Sequence, residues 1–169
     1  MRNVYLLGMM GAGKSYWAQR LSATYKIDWA DLDAEVEKET MLSISEIFDT
    51  EGEAYFRQQE SMVLKKLSAI TQMIISTGGG TPCFNNNMQW MNSHGITIWI
   101  DEPVDILAAR LEKEKAHRPL IRRLPPDTLQ EFLSAKLEER QVYYSQAHHH
   151  LQGTAISGES FALILQQYE

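Results

Sequence analysis

The chain has 169 residues, 44% of them hydrophobic and 22% charged, with a net charge of −6. That is enough chain for one domain around a single core, with little room for a second. The acidic balance argues against a general binder of nucleic acid or anionic membranes, and the lone Cys83 excludes an internal disulfide and points to a reducing compartment.

In chain order, residues 4–7 (VYLL) form a short apolar run ending in glycine, which predicts a buried strand. The first residues imitate a signal peptide, but the Gly-Lys-Ser that follows gives a better account of the small residues there. After Lys14 the spacing turns helical, with Trp17, Leu21 and Tyr25 on one face. Residues 27–30 read as a second strand, with Asp31 and Asp33 at its C-terminal end. Alternation in an extended segment would send both carboxylates the same way. Residues 43–67 read as helix, opened by the capping box Ser43/Glu46 and broken at Gly52.

Residues 73–76 predict a third strand running into Gly78-Gly79-Gly80. A helix is expected over 88–94 and a β-branched strand over 96–100. Pro103 suits the first turn of a helix reaching residue 111. Residues 112–126 are polar and basic, interrupted by Pro119, Pro125 and Pro126, and predict a mobile loop. Helical spacing returns over 128–148, a last strand is expected at 154–156 and a last helix at 161–167. Strands alternating with helices imply an α/β fold, a parallel sheet covered on both faces, with ligands at the C-terminal strand ends. No stretch approaches the ~20 apolar residues that span a bilayer, so a cytoplasmic protein is expected.

Gly8-Met9-Met10-Gly11-Ala12-Gly13-Lys14-Ser15 fits G-x-x-x-x-G-K-[ST], placed between a strand and a helix. Backbone N–H groups of such a loop curl round a polyphosphate, and the helix aims its positive end at the same anion. Lys14 is expected at the β- and γ-phosphates and Ser15 on Mg²⁺, so the chain should bind ATP or GTP. A guanine-reading N-K-x-D is absent, and Asp49-Thr50-Glu51-Gly52 lies in a helical region. Asp101-Glu102, at the end of an apolar strand, could serve a switch or motor ATPase, or could simply open the next helix with acids. A small-molecule kinase needs in addition an acceptor-orienting group, cations and a lid, and Asp31-Leu32-Asp33 stands where the first of these is required.

"GMMGAGKS", "DLD", "GEAYFRQQE", "TGGG", "RPLI" and "ERQVYY" occur in order along most of the chain, and together they resemble the shikimate kinase family. The resemblance implies a three-layer P-loop fold of the nucleoside-monophosphate-kinase type, with about five parallel strands and a lid at 112–126. It also implies an acceptor-binding helical region at 33–62, all within one domain over 1–169. The implied reaction passes a phosphoryl group from ATP, with Mg²⁺, to the 3-hydroxyl of shikimate. By resemblance Asp33 would orient the acceptor hydroxyl, Asp31 with Ser15 would hold Mg²⁺, and Arg57 and Arg140 would grip the substrate carboxylate. Gly78, Gly79 and Gly80 would floor the acceptor site. Gly11, Ala12, Gly13, Lys14, Ser15 and Tyr16 would line the nucleotide site, Arg110 would stack on adenine, and Arg118 would be the lid arginine.

Read from the residues alone, Arg57 is better explained as a solvated helix arginine paired with Glu53 or Glu60, and Arg140 as a surface helix charge in a run with Glu138 and Glu139. Tyr16 stands where the family usually has threonine. His148-His149-His150 reads as a polar helix end, since adjacent helical residues point about 100° apart. Cys83 reads as a small buried residue. A monomer acting on a small molecule is expected; a kinase for another polyol acid such as gluconate, or for a nucleoside monophosphate, is the nearest alternative.

Overall fold

The computed structural model describes residues 2–118 and 120–168. Pro119, one of the expected loop prolines and part of the "RPLI" motif, lies outside the described residues. Five parallel strands form one sheet in the order β2-β3-β1-β4-β5. They are β1 (Asn3–Leu7), β2 (Asp28–Asp31), β3 (Met73–Ser76), β4 (Gly95–Asp101) and β5 (His149–Gln152). Among the described residues eight α-helices connect and cover them: α1 (Lys14–Tyr25), α2 (Leu32–Thr40), α3 (Ile44–Thr50), α4 (Glu53–Ser68), α5 (Asn87–His94), α6 (Val104–Glu112), α7 (Leu129–Tyr144) and α8 (Gly158–Gln166).

β1 is central, and all five of its residues are buried. Its side chains divide between two cores. Val4 and Leu6 pack with Ala18, Leu107, Leu133 and Phe161 from one helical layer. Tyr5 and Leu7 pack with Val36, Phe56, Leu64 and Met91 from the other. A strand buried on both faces reads as a continuous apolar run, which is why residues 4–7 carry no alternation.

Ser43 accepts from the Glu46 N–H while the Glu46 carboxylate accepts from the Ser43 N–H, so the expected capping box is formed. Gly52 separates α3 from α4 with φ 88, a left-handed value a side chain would strain. Pro103 precedes α6 as its N-cap rather than lying in its first turn.

Three sequence expectations are corrected. Residues 32–40 are helical, so Asp33 sits in the first turn of α2 and not in an extended segment. Asp31 caps that helix, accepting from the N–H groups of Asp33 and Ala34. The last strand is His149–Gln152, while Gly153–Ala155 forms a 3-10 turn. The histidine run is therefore no helix end. His150 stacks on Trp99 at 4.0 Å and meets Asp101 at 2.8 Å, and His148 bonds Thr97, so pairing with β4 holds a strand whose own sequence is polar. In the loop after α6, Ile121 is fully buried and Arg122 reaches Asp49 on α3 at 2.6 Å. No helix is long and apolar enough to cross a membrane, among the described residues.

Candidate active site

The C-terminal ends of β1, β2 and β3 open on two adjoining cavities, of about 870 and 470 Å³. The larger is lined by Gly11, Ala12, Gly13, Lys14, Ser15, Tyr16, Asp31, Arg110 and Arg118 among others. The smaller is lined by Arg57, Glu60, Gly80 and Arg140, with Ser43, Phe48 and Leu120 at its sides. Met10, Asp33, Gly78, Gly79, Glu114 and Arg118 belong to both and form the shared wall.

In the larger cavity Lys14 is buried and donates to the carbonyls of Gly8 and Met9, each at 2.8 Å. Desolvation lowers its pKa to about 8, opposed by Asp33. Ser15 Oγ donates to Asp31 Oδ2 at 2.5 Å and shares a hydrogen bond with Ser76 Oγ at 2.9 Å. Ser76 ends β3, the strand beside β1, and its small side chain leaves Asp31 room to reach across from β2. Arg110 donates to the Gly11 carbonyl and pairs with Glu102. Tyr16 is exposed, takes a hydrogen bond from Arg20 and meets the edge of Trp17. Asp101 and Glu102 lie on the other side of β1 from Ser76 and Asp31, and are occupied by His150 and Arg110.

In the smaller cavity Arg57 is a buried arginine stacked 4.2 Å from the Phe84 ring. It donates to Glu60 at 2.9 Å and to Glu53 at 3.2 Å, so both partners suggested by the sequence are present. Arg140 is buried as well, yet it pairs with no carboxylate among the described residues; neither Glu138 nor Glu139 reaches it. Glu60, fully buried, was invisible as a site residue in the sequence, where it reads as one more acid on a polar helix. It accepts from Arg57 and from Thr81 Oγ1 at 2.7 Å, and burial raises its pKa against the pull of Arg57.

Asp33 stands between the cavities. Its Oδ1 is sealed from solvent and has no hydrogen-bond partner among the described residues. Desolvation, then Glu60 and Asp31, raise its pKa to about 7 against the attraction of Lys14 and Arg57.

The three glycines form a wall closely faced by these charged groups. A Cβ on Gly78 would lie 3.2 Å from Asp33 Oδ1 and 3.0 Å from Glu60 Oε2. One on Gly79 would lie 2.9 Å from Arg140 Nη1, and one on Gly80 2.5 Å from Arg57 Nη2. Side chains there would push the charged groups out of place, which is a stronger reason for glycine than turn geometry.

Comparison with known proteins places these features among relatives. A family model described as shikimate kinase matches residues 10–169. A shikimate kinase of Flavobacterium johnsoniae is 40% identical over 151 residues, which cover 88% of each chain. Among solved structures, shikimate kinase from Bacteroides thetaiotaomicron superposes with a TM-score of 0.86 at 31% identity, over 99% of this chain and 96% of that one. Shikimate kinase from Acinetobacter baumannii, solved in complex with shikimate, gives 0.88 at 31% identity, over 99% and 94%.

Proposed function

The chain belongs to the shikimate kinase family, and we propose that it transfers the γ-phosphoryl group of ATP to the 3-hydroxyl of shikimate, releasing ADP and shikimate 3-phosphate. The observation that carries this reading is Asp33, which stands in the wall shared by a P-loop cavity and a cavity lined by two buried arginines.

The donor binds along the P-loop, where the N–H groups of Gly11, Ala12 and Gly13 and the start of α1 meet the phosphates. Lys14 turns from the Gly8 and Met9 carbonyls to the β- and γ-phosphates. Arg110 flanks the adenine, and Tyr16 lies at the rim. The acceptor carboxylate lies between Arg57 and Arg140, whose guanidinium forks match a planar anion, and the ring lies against Gly78, Gly79 and Gly80. Two buried arginines favour an acid over a neutral polyol, and the Arg140 charge without a carboxylate partner favours it further.

The Asp33 carboxylate oxygen that opens on the cavities, not the sealed Oδ1, accepts the hydrogen bond of the attacking hydroxyl and orients its lone pair at the γ-phosphorus. A pKa near 7 lets the carboxylate take that proton as the O–P bond forms and the bond to ADP breaks. Arg118, on the wall of both cavities, neutralises charge on the passing group, and closure of 112–126 keeps water from competing as acceptor.

The oxygens of Ser15, Asp31 and Ser76 suit a hard cation. No three His, Cys, Asp or Glu side chains converge as a metal cage among the described residues. That fits Mg²⁺, which keeps waters and phosphate oxygens and takes one or two protein ligands. Ser15 would ligate it directly and Asp31 through water. Bound there, Mg²⁺ neutralises phosphate charge. One kinase domain over 1–169, with an acceptor region at 33–62, working as a cytoplasmic monomer, completes the reading.

The test is ADP release measured with shikimate, gluconate and AMP as acceptors. Stimulation by shikimate alone supports the assignment. Stimulation by another acceptor reassigns the substrate, and no stimulation by any of the three overturns it.

A further inference from the structure

Tyr144 is the side chain that the reaction above leaves without a task. It is fully buried at the end of α7, one helical turn after Arg140, so the two share a face of the helix. Its phenol donates to the Gly79 carbonyl at 2.5 Å and lies 3.7 Å from Met9 Sδ, while its ring packs on Trp99. The link therefore joins the helix that carries Arg140, which pairs with no carboxylate among the described residues, to the glycine wall.

The Gly79 carbonyl belongs to the same peptide group as the Gly80 N–H. Every peptide bond described is trans, so that N–H points opposite to the carbonyl and away from the buried phenol. Gly79 and Gly80 both line the acceptor cavity. Neither N–H donates to a protein acceptor among the described residues; the hydrogen bonds of this turn run from Thr81 to Gly78 and from Cys83 to Gly80. Among the described residues both N–H groups are thus without a protein acceptor, and one of their peptide groups is gripped at its carbonyl.

We infer that Tyr144 is a positioning residue for the acceptor: its hydroxyl fixes the plane of the Gly79–Gly80 peptide and polarises it, so that the Gly80 N–H is presented to the acid substrate as a strengthened donor. Hydrogen bonds in series reinforce one another in a medium of low dielectric. A bond accepted at the carbonyl draws electron density from the nitrogen and leaves its proton more positive. The same bond holds the wall still, where a shift of the peptide would move it against Arg140. The inference rests on the functional reading above, because it needs an acceptor at the glycine wall.

Tyr144→Phe removes the hydroxyl and keeps the ring. With shikimate varied at saturating ATP, and then the reverse, KM for shikimate should rise about five-fold, the size of one net hydrogen bond, while KM for ATP changes less than two-fold. A merely structural tyrosine would lower thermal stability and leave that ratio unchanged. Site-specific fluorotyrosines at position 144, whose more acidic phenols donate more strongly, should lower KM for shikimate in order of acidity. If Tyr144→Phe does not yield folded protein, the fluorotyrosine series decides. Unchanged KM values, equal changes in both, or a flat fluorotyrosine series overturn the inference while leaving the kinase reading intact. Wild-type protein inert toward shikimate overturns that reading and this inference with it.

Discussion

Replacing Asp33 with Asn should make the protein more stable while abolishing most of its turnover. Folding lifts the Asp33 pKa from 3.8 to about 7, so the folded chain holds that proton far more tightly than the unfolded one. Between those values the unfolded chain sheds the proton first. The Asp33 contribution to stability is therefore greatest below pH 4, declines as pH climbs toward 7, and above 7 carries the whole penalty of burying an ionised carboxylate beside Glu60 and Asp31. At roughly 1.4 kcal/mol per pKa unit the rise corresponds to on the order of 4 kcal/mol. Asp33 is open in part to the cavities and Lys14 loses a favourable neighbour in the variant, so a gain of about 2–3 kcal/mol is expected at pH 8. Urea unfolding of wild type and Asp33→Asn at pH 4.5 and pH 8 measures it. The variant should match wild type within about 1 kcal/mol at the lower pH and exceed it at the higher. A stability difference that does not grow with pH refutes the electrostatic account of the site. Retained turnover in the variant would remove Asp33 from its place at the acceptor hydroxyl.

Arg57→Ala should weaken shikimate binding by about 1.5–3 kcal/mol, read as KM, with ATP binding little affected. It should also lower the melting temperature, because the fully buried Glu60 loses its ion pair. Gly80→Ala is a cleaner probe of the acceptor wall than Gly79→Ala. The three atoms nearest a Cβ at Gly80 all belong to Arg57, whereas one at Gly79 comes within 3.3 Å of the P-loop N–H of Met10. Gly80→Ala should therefore raise KM for shikimate and spare that for ATP, and Gly79→Ala should raise both; the reverse pattern would move the wall to the phosphates. Ser15→Ala should raise the Mg²⁺ concentration needed for tight nucleotide binding, followed by calorimetry without acceptor, and an unchanged Mg²⁺ dependence would exclude Ser15 as its ligand.

The central strands were legible because burial on both faces leaves an unmistakable apolar run, and the P-loop because its chemistry requires contiguous residues. β5 was not legible. HHLQ contains one apolar residue, and its strand conformation comes from β4, through the Trp99 stack and the Asp101 bond. Spacing did not reveal helix α2, which only the resemblance implied, because Leu32 and Val36 are the only apolar residues buried from an otherwise polar segment. That miss spoiled the argument for Asp33, which faces the site by way of a capped helix turn and not by strand alternation. The two arginines could be named only through resemblance. Nothing local distinguishes a buried arginine on a charged helix from a solvated one; Arg57 is covered by Phe84 and Gly80, and Arg140 by Met9 and Gly79, each distant in sequence from the arginine it meets.

The unequal state of the two arginines has a consequence for how an anion enters. Arg57 already holds Glu53 and Glu60, so a carboxylate arriving there displaces a half-exposed glutamate and trades one ion pair for another. Arg140, with no carboxylate to surrender, supplies the net gain. Added salt weakens the pair that is broken along with the pair that is made. On the proposed function the pocket would thus capture an acid with about half the ionic-strength sensitivity that two arginines would suggest, and Glu53 would compete with anions that bind weakly.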